Sequence, residues 1–126
     1  MGAEILYKSF IEELKYIHSK KSDEEWKAIF KRGTEKSKSL KKIEGIIKDT
    51  LYTEKAIRHI TDCFVLDELL NSLGAVDSAV LIEIIRMNYG YVNKVKKVLE
   101  VSKETGIPLG ILFSIKNYLK YKKEEI

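Results

Sequence analysis

The chain has 126 residues and a formal net charge of +4, with 44% hydrophobic and 33% charged residues. This length fits one domain, and a composition with only seven Gly and one Pro excludes a disordered or collagen-like chain. No apolar run approaches the roughly 20 residues of a membrane span, and no secretory signal is recognisable. The one cysteine, Cys63, excludes an internal disulfide and a multi-cysteine zinc site. We therefore expect a single soluble, cytoplasmic domain over residues 1–126.

The charged residues are unevenly distributed along the chain. Residues 31–48 carry seven basic against two acidic side chains, a net charge of +5, and residues 91–126 carry eight against four, a net charge of +4. Residues 49–90 carry three against seven, a net charge of −4. Two basic segments thus flank an acidic one, which says more about partners than the small net charge does. Abundant lysine without any glutamine predicts a thermophilic source, although an AT-rich genome gives a similar lysine enrichment.

Apolar residues recur at intervals of three and four, which predicts amphipathic helices, and no segment alternates with the two-residue period of a strand. The first helix is predicted over residues 4–20. A capping box, with Ser22 at the N-cap and Glu25 three positions later, predicts the start of the second helix. We expect this helix to end at Gly33, because glycine readily adopts the left-handed conformation found after helix C-termini. The third helix is predicted over residues 34–52.

The middle of the chain contains two further predicted helices. Thr53 caps the fourth, which ends at Gly74, and Asp77 caps the fifth, which covers residues 78–89 and stops at Gly90. The fifth helix is apolar on nearly all sides, so we expect it to be the central helix of the core. The sequence therefore predicts an all-α, single-domain bundle of six or seven short helices.

The last third of the chain contains predicted helices over residues 91–105 and 108–123. From position 101 to 118 the sequence is V-S-K-E-T-G-I-P-L-G-I-L-F-S-I-K-N-Y, which resembles a helix-turn-helix, in particular the turn of sigma-factor region-4-like and repressor-like domains. In that motif a glycine forms the turn, an apolar residue follows, and the second helix buries two further side chains. The matching residues are Gly106, Ile107, Leu112 and Ile115. The resemblance implies a helix-turn-helix-like C-terminal third that binds DNA through its second helix.

The outward positions of that second helix are mostly apolar. They are Pro108, Leu109, Gly110, Phe113, Ser114 and Asn117. Only Ser114 and Asn117 can hydrogen-bond to a base, so we expect contacts mainly with the phosphate backbone. The lysines assigned to these contacts are Lys94, Lys97, Lys116 and Lys120. The alternative is a plain helical hairpin, whose core contains Leu109, Leu112 and Phe113.

A second basic segment, residues 31–42, contains six basic side chains, one acidic side chain and three hydroxyls. Trp26 and Phe30 precede it, and aromatic residues beside basic ones are typical of surfaces that bind a nucleic-acid backbone. The residues assigned to phosphate contact are Lys31, Arg32, Lys36, Lys38, Lys41 and Lys42. The alternative is an ordinary solvated helix face.

The chain shows little sign of catalytic or metal chemistry. His59, Cys63 and Asp67 are spaced by four, so a helix would align them on one face, where His and Cys can chelate a metal. Zinc needs a further ligand and the other histidine, His18, lies on another helix, so we expect Cys63 to be a buried core residue. No phosphate-binding glycine loop or nucleophile elbow is present. We predict that the protein is not an enzyme and has no metal or cofactor.

The sequence thus predicts a non-catalytic nucleic-acid-binding helical module, with DNA as the favoured partner. It could belong to a replication or transcription assembly, for example as a helical domain appended to a primase. The alternative is a small protein-interaction subunit of a larger nucleoprotein complex such as a CRISPR effector, which would dock Leu109, Ile111 or Phe113 in a groove of its partner. A homodimer joined through the apolar fifth helix is a third option.

Overall fold

The computed structural model describes the backbone of residues 2–47 and 54–124 and the side chains of residues 7–39, 60–90 and 92–121. These parts of the chain are helical and contain no strand, which confirms the all-α prediction. The helices are α1 (Gly2–His18), α2 (Asp23–Ile47), α3 (Glu54–Leu73), α4 (Ala75–Met87), α5 (Tyr89–Val92), α6 (Val95–Thr105) and α7 (Leu109–Glu124). α5 is a single turn that connects two longer helices.

The junction between α1 and α2 forms the predicted helix cap. The Glu25 amide donates a hydrogen bond to the Ser22 hydroxyl at 3.1 Å, and three acidic residues occupy the first turn of α2. Their charge interacts favourably with the positive end of the helix dipole. The preceding helix α1 buries Phe10, Leu14 and Ile17 in the core. The start of α2 is therefore predicted correctly by its local sequence.

The prediction that Gly33 ends a helix is wrong. α2 continues through Gly33 as one helix of 25 residues, so its second half replaces the predicted third helix, whose residues 48–52 lie outside the described part of the chain. Gly33 is buried against α3, where a Cβ atom would come within 2.6 Å of the Cα of Val65. Glycine at this position therefore lets two helix backbones approach closely. On the same interface, the hydroxyls of Ser37 and Thr61 lie 2.5 Å apart.

Helix α4 lies at the surface of the bundle, so the prediction that it is the central helix is wrong. It buries Leu81, Ile84 and Ile85 on one side, whereas Val76 and Met87 are 76% and 72% exposed on the other. A helix is buried all round only when other elements cover every side. α4 packs on α1, α3, α5 and α7, and these neighbours leave one apolar face uncovered.

Two glycines mark helix boundaries as predicted. Gly74, between α3 and α4, has φ 89°, and Gly106, after α6, has φ 84°. The prediction that Gly90 ends a helix is wrong, because Gly90 lies within α5. The preceding helix, α4, ends at Met87 instead, where the side-chain amide of Asn88 donates a hydrogen bond to the Ile84 carbonyl at 2.8 Å.

Candidate nucleic-acid interface

The turn between α6 and α7 is held by hydrogen bonds among its own residues and by one buried apolar side chain. Gly106 adopts the left-handed conformation, and its amide donates to the Ser102 carbonyl at 2.9 Å. The Ser102 hydroxyl donates to the Ile107 carbonyl at 2.8 Å. The Thr105 hydroxyl donates to the Val101 carbonyl and accepts a hydrogen bond from the Ile107 amide. Ile107 itself is fully buried, so the turn is held by side-chain hydrogen bonds and by an apolar anchor.

A small cluster from α1 and α2 covers this turn. The His18 ring stacks on Trp26, with 5.7 Å between ring centroids, and the Trp26 indole donates a hydrogen bond to the His18 carbonyl at 2.9 Å. His18 Nε2 lies 2.8 Å from an oxygen of Asp23 but not in line for a hydrogen bond. A Cβ atom on Gly106 would come within 2.8 Å of the His18 ring. The turn is therefore packed against the first two helices.

Two residues of α7 that the sequence assigns to function lie in the core. Ser114, predicted to contact a base, is 3% exposed, and Ile111, predicted to dock a partner, is 0% exposed. Both predictions are wrong, because α7 packs on α3, α4 and α6 and these neighbours bury a wide face of the helix. Leu109 and Phe113 are half-buried against the core. Asn117 is exposed and is the base-contacting candidate that remains on this helix.

The N-terminal turn of α7 packs against the middle of α2. A Cβ atom on Gly110 would lie 2.3 Å from the ring of Phe30, so glycine is needed for this close approach. Lys31 and Thr34 therefore lie next to the point where α2 meets α7. This contact joins the first turn of α7 to the middle of α2, while α3 packs on both helices.

Two of the basic residues predicted on α2 are committed to an internal ion-pair network. The Arg32 guanidinium donates to Glu68 at 2.9 Å and to the Ser72 hydroxyl at 2.9 Å, and it lies 3.5 Å from Glu25. Lys36 forms a second ion pair with Glu68. Hydrogen bonds from Lys36 and Arg32 lower the pKa of Glu68, whose side chain is 7% exposed. Acidic side chains within the protein compensate the charges of Arg32 and Lys36. We therefore no longer assign these two residues to phosphate contact.

Other lysines on α2 are exposed. Lys31 and Lys38 form no ion pair with any residue whose side chain is described, and the same is true of Lys27, which the sequence analysis missed. Residues 27, 31 and 38 are separated by four and seven positions, so a helix aligns them on one face. That spacing is the signal that could have identified Lys27. The side chains of Lys41 and Lys42 lie outside the described part of the chain.

The C-terminal lysines differ in their surroundings. Lys120 is exposed near Asn117 on α7, and the Lys116 ammonium lies 5.6 Å from the centre of the Phe113 ring. Lys94 is exposed at the start of α6, and Lys97 lies 3.5 Å from Glu100. Both residues lie on or beside α6, whose main packing partners are α1, α5 and α7.

The sequence aligns His59, Cys63 and Asp67 on one helix face as possible metal ligands. Cys63 is exposed, so the expectation that it lies in the core is wrong. Partial burial of the thiol, followed by the negative charge of Asp62, raises the pKa of Cys63, which makes it a poor nucleophile at neutral pH. The His59 side chain lies outside the described residues. In the described regions, no three His, Cys, Asp or Glu side chains converge as metal ligands, and no helix is both long and apolar enough to cross a membrane.

The surface that emerges has two parts. The outer side of α2 contributes Lys27, Lys31 and Lys38, and the exposed side of α7 contributes Lys116, Asn117 and Lys120. We call this set the α2/α7 basic face. Comparison of the chain with protein-family models, with curated proteins and with solved structures gives no match.

Proposed function

We propose that the protein is a non-catalytic nucleic-acid-binding module that contacts the phosphate backbone with its α2/α7 basic face. The observation that carries the proposal is the row of exposed lysines on α2, Lys27, Lys31 and Lys38, which have no acidic partner among the described residues. The packing of Phe30 on Gly110 places the first turn of α7 beside the same helix. DNA is the favoured ligand because the α6–α7 turn resembles that of helix-turn-helix proteins.

The charge of this face supports a polyanionic ligand. Lys27, Lys31 and Lys38 have no acidic partner among the described residues, and the exposed Glu35 is the acidic residue that lies among them in the sequence. Lysine ammoniums that are not neutralised within the protein can displace the counterions condensed on a nucleic acid, and counterion release favours binding. Arg32 and Lys36 are already paired with acidic side chains of the protein, so we do not count them among the lysines and arginines that release counterions.

The composition of the face predicts weak sequence selectivity. Asn117 is the exposed side chain of the face that can form the paired hydrogen bonds by which bases are read, whereas the five lysines contact phosphates, which carry no direct sequence information. We therefore expect binding that depends strongly on salt and weakly on sequence. A dissociation constant of about 10⁻⁴ to 10⁻⁶ M at physiological salt is typical of such binding.

The test is a fluorescence-anisotropy titration of labelled single- and double-stranded DNA and RNA at several salt concentrations. If each of the five lysines contacts one phosphate of duplex DNA, the logarithm of the binding constant should fall with the logarithm of salt concentration at a slope of about −4.5. The variant Lys31→Glu/Lys38→Glu should weaken binding to all sequences alike. The matched control, Lys8→Glu/Lys103→Glu, changes the net charge equally at exposed positions on α1 and α6 and should bind more tightly than the first variant.

Two results would contradict the proposal. Binding that does not change with salt would exclude phosphate contacts as its source. Equal loss of affinity in both double variants would show that net charge acts without the α2/α7 basic face.

The alternative function is that of a subunit that docks in a partner through apolar side chains of α7. Most of the side chains predicted to form that docking surface are not exposed. Ile111 is buried, and Leu109 and Phe113 are half-buried, so α7 presents no large apolar side chain that is mainly exposed between residues 109 and 121, where its side chains are described. Any larger assembly that includes this module, such as one built around a primase, stays a prediction from the sequence.

A further inference from the structure

Three exposed lysines form a row along the outer side of α2. Lys27, Lys31 and Lys38 form no ion pair with any residue whose side chain is described. Because an α-helix rises about 1.5 Å per residue, the row is about 16 Å long. We call these three residues the α2 lysine row. What surrounds the row restricts the form of nucleic acid that it can bind tightly.

The aromatic side chains of α2 are used in packing the protein. Trp26 is 0% exposed and stacks on His18. Phe30 is half-buried, and a Cβ atom on Gly110 of α7 would lie 2.3 Å from its ring. Neither ring therefore provides a platform beside the lysines on which a base can stack.

Among the side chains that the structure describes, Tyr16 is the one aromatic residue that is mainly exposed, at 68%. It belongs to α1, and the Lys20 ammonium lies 5.1 Å from the centre of its ring. Lys20 is in turn held by Asp77 of α4 at 2.7 Å. Tyr16 therefore belongs to the junction of α1 with α4 and not to the α2 lysine row.

A single strand and a duplex differ in what they offer to such a row. Duplex DNA carries one charge per about 1.7 Å of its axis, and one strand by itself has about half that density. A length of about 16 Å thus presents about ten phosphates in a duplex and about five in a single strand. Proteins that bind single strands stack the bases on aromatic rings, which raises the affinity roughly 5- to 150-fold per base. The α2 lysine row lacks that contribution.

The first turns of α7 are packed within the bundle. A helix that reads a groove of DNA presents its N-terminal side chains to the edges of the bases. Here Gly110 is covered by Phe30, and Ile111 and Ser114 are buried. The outer side of α2 is therefore better placed than the start of α7 for contact with a duplex.

We propose that the ligand is duplex DNA, which lies along the α2 lysine row and is held by its phosphates without insertion of α7 into a groove. This inference rests on the proposed function and specifies the ligand and the helix that binds it. The DNA stays base-paired, because the row has no aromatic ring that would stabilise an unpaired base.

The salt dependence of binding gives the size of the preference for the duplex. With three phosphate contacts, the logarithm of the binding constant falls with the logarithm of salt concentration at a slope of about −2.7 for a duplex and about −2.1 for a single strand. We take the two affinities as equal at about 1 M salt, where charges are strongly screened. The duplex is then bound about sixfold more tightly at about 0.05 M salt and about 2.5-fold more tightly at about 0.2 M.

Fluorescence anisotropy with one labelled strand tests the proposal. A DNA of mixed sequence without self-complementarity is titrated alone and after annealing to its complement, at the two salt concentrations. The duplex should bind about sixfold more tightly at the lower concentration, and the ratio should fall by about half at the higher one. Lys31→Glu/Lys38→Glu should bring the ratio closer to one than the matched variant Lys116→Glu/Lys120→Glu on α7.

An added aromatic ring tests the reason for the preference. Glu35 is exposed and lies four positions after Lys31 and three before Lys38, on the same side of α2. Glu35→Trp should raise the affinity for the single strand at least about fivefold relative to Glu35→Leu, whereas the two variants should bind the duplex equally. Both substitutions remove the same charge, so the difference between them measures stacking. Circular-dichroism melting would establish that each variant is folded.

Failure of this inference and failure of the proposed function give different results. Absence of salt-dependent binding to either ligand would refute the proposed function itself. A single strand that binds as tightly as the duplex at about 0.05 M salt, with a steep salt dependence, would overturn the duplex proposal and leave phosphate contact intact. A larger loss of the ratio in the α7 variant would place the duplex on α7. Equal single-strand affinity of Glu35→Trp and Glu35→Leu would overturn the argument from the missing aromatic rings.

Discussion

Replacement of Gly33 by alanine should destabilise the protein, although alanine is the better helix former. The added Cβ would lie 2.6 Å from the Cα of Val65 and 2.8 Å from its Cγ2, whereas carbon atoms in van der Waals contact are about 3.5–4.0 Å apart. α2 and α3 would have to separate locally by about 1 Å. Such overpacking costs about 1–3 kcal/mol, and we expect about 2–3 kcal/mol here because the nearest atoms belong to the Val65 backbone, which cannot swing aside. The helix propensity of alanine offsets roughly 1 kcal/mol of this cost. We expect a net loss of about 1–2 kcal/mol in the free energy of unfolding.

Urea denaturation followed by circular dichroism measures this loss, and Gly90→Ala is the matched control. Gly90 is also helical, but a Cβ atom there meets nothing within 4 Å, so its replacement should stabilise the protein by about 0.5–1 kcal/mol. Val65→Ala should not rescue Gly33→Ala, because the nearest atom belongs to the Val65 backbone. A Gly33→Ala protein as stable as wild type would refute the argument that close backbone packing requires this glycine.

Three further substitutions test the packing around the basic surfaces, each by its free energy of unfolding. Glu68→Gln should cost about 1 kcal/mol, a modest amount because the cationic partners of Glu68 are partly exposed. The pKa of Glu68 is lowered in the folded protein, so this stabilisation is fully present above its ordinary pKa of 4.5 and is lost as pH falls through the lower folded value. Measuring the stability difference between wild type and variant as a function of pH checks this expectation. Gly106→Ala should be more destabilising than Gly74→Ala, since both have positive φ but only Gly106 also meets the His18 ring; equal losses in thermal melts would contradict the contact. Ser22→Ala should cost about 1 kcal/mol through loss of the helix cap, and an unchanged urea midpoint would show that the cap contributes nothing.

Helix boundaries are predictable where the determining contact is local. The capping box formed by Ser22 and Glu25 and the left-handed turn at Gly106 depend on residues a few positions away, and both predictions are confirmed. Gly33 differs because its determining contact is Val65, which is distant in the sequence. A glycine between two amphipathic stretches has the same local pattern whether it ends a helix or allows a second backbone to approach. The central position predicted for α4 failed for a related reason, since the sequence does not reveal how many neighbours surround a helix.

The sequence shows which segments are rich in basic residues, but it does not show which of those residues lie together on the surface. The basic segment of α2 is evident from the sequence, yet the acidic partner of Arg32 and Lys36 is Glu68 on another helix. Ser114 occupies an outward position of the resembled motif, but here the packing of α7 on three helices buries it. A motif therefore identified candidate residues, while neighbouring helices determined which of them reach the solvent.

The burial of Trp26 gives the protein an internal optical probe. This residue is the one tryptophan in the chain and is fully buried. Its indole N–H donates a hydrogen bond to the His18 carbonyl beside the α6–α7 turn. Its emission therefore reports on the junction where α1, α2 and the turn meet, and not directly on a ligand bound at the exposed lysines. Nucleic acid that binds to a rigid module should leave this emission unchanged even at saturation. A spectral shift on binding would instead reveal that the turn moves, which separates simple attachment from a ligand-driven rearrangement without any added label.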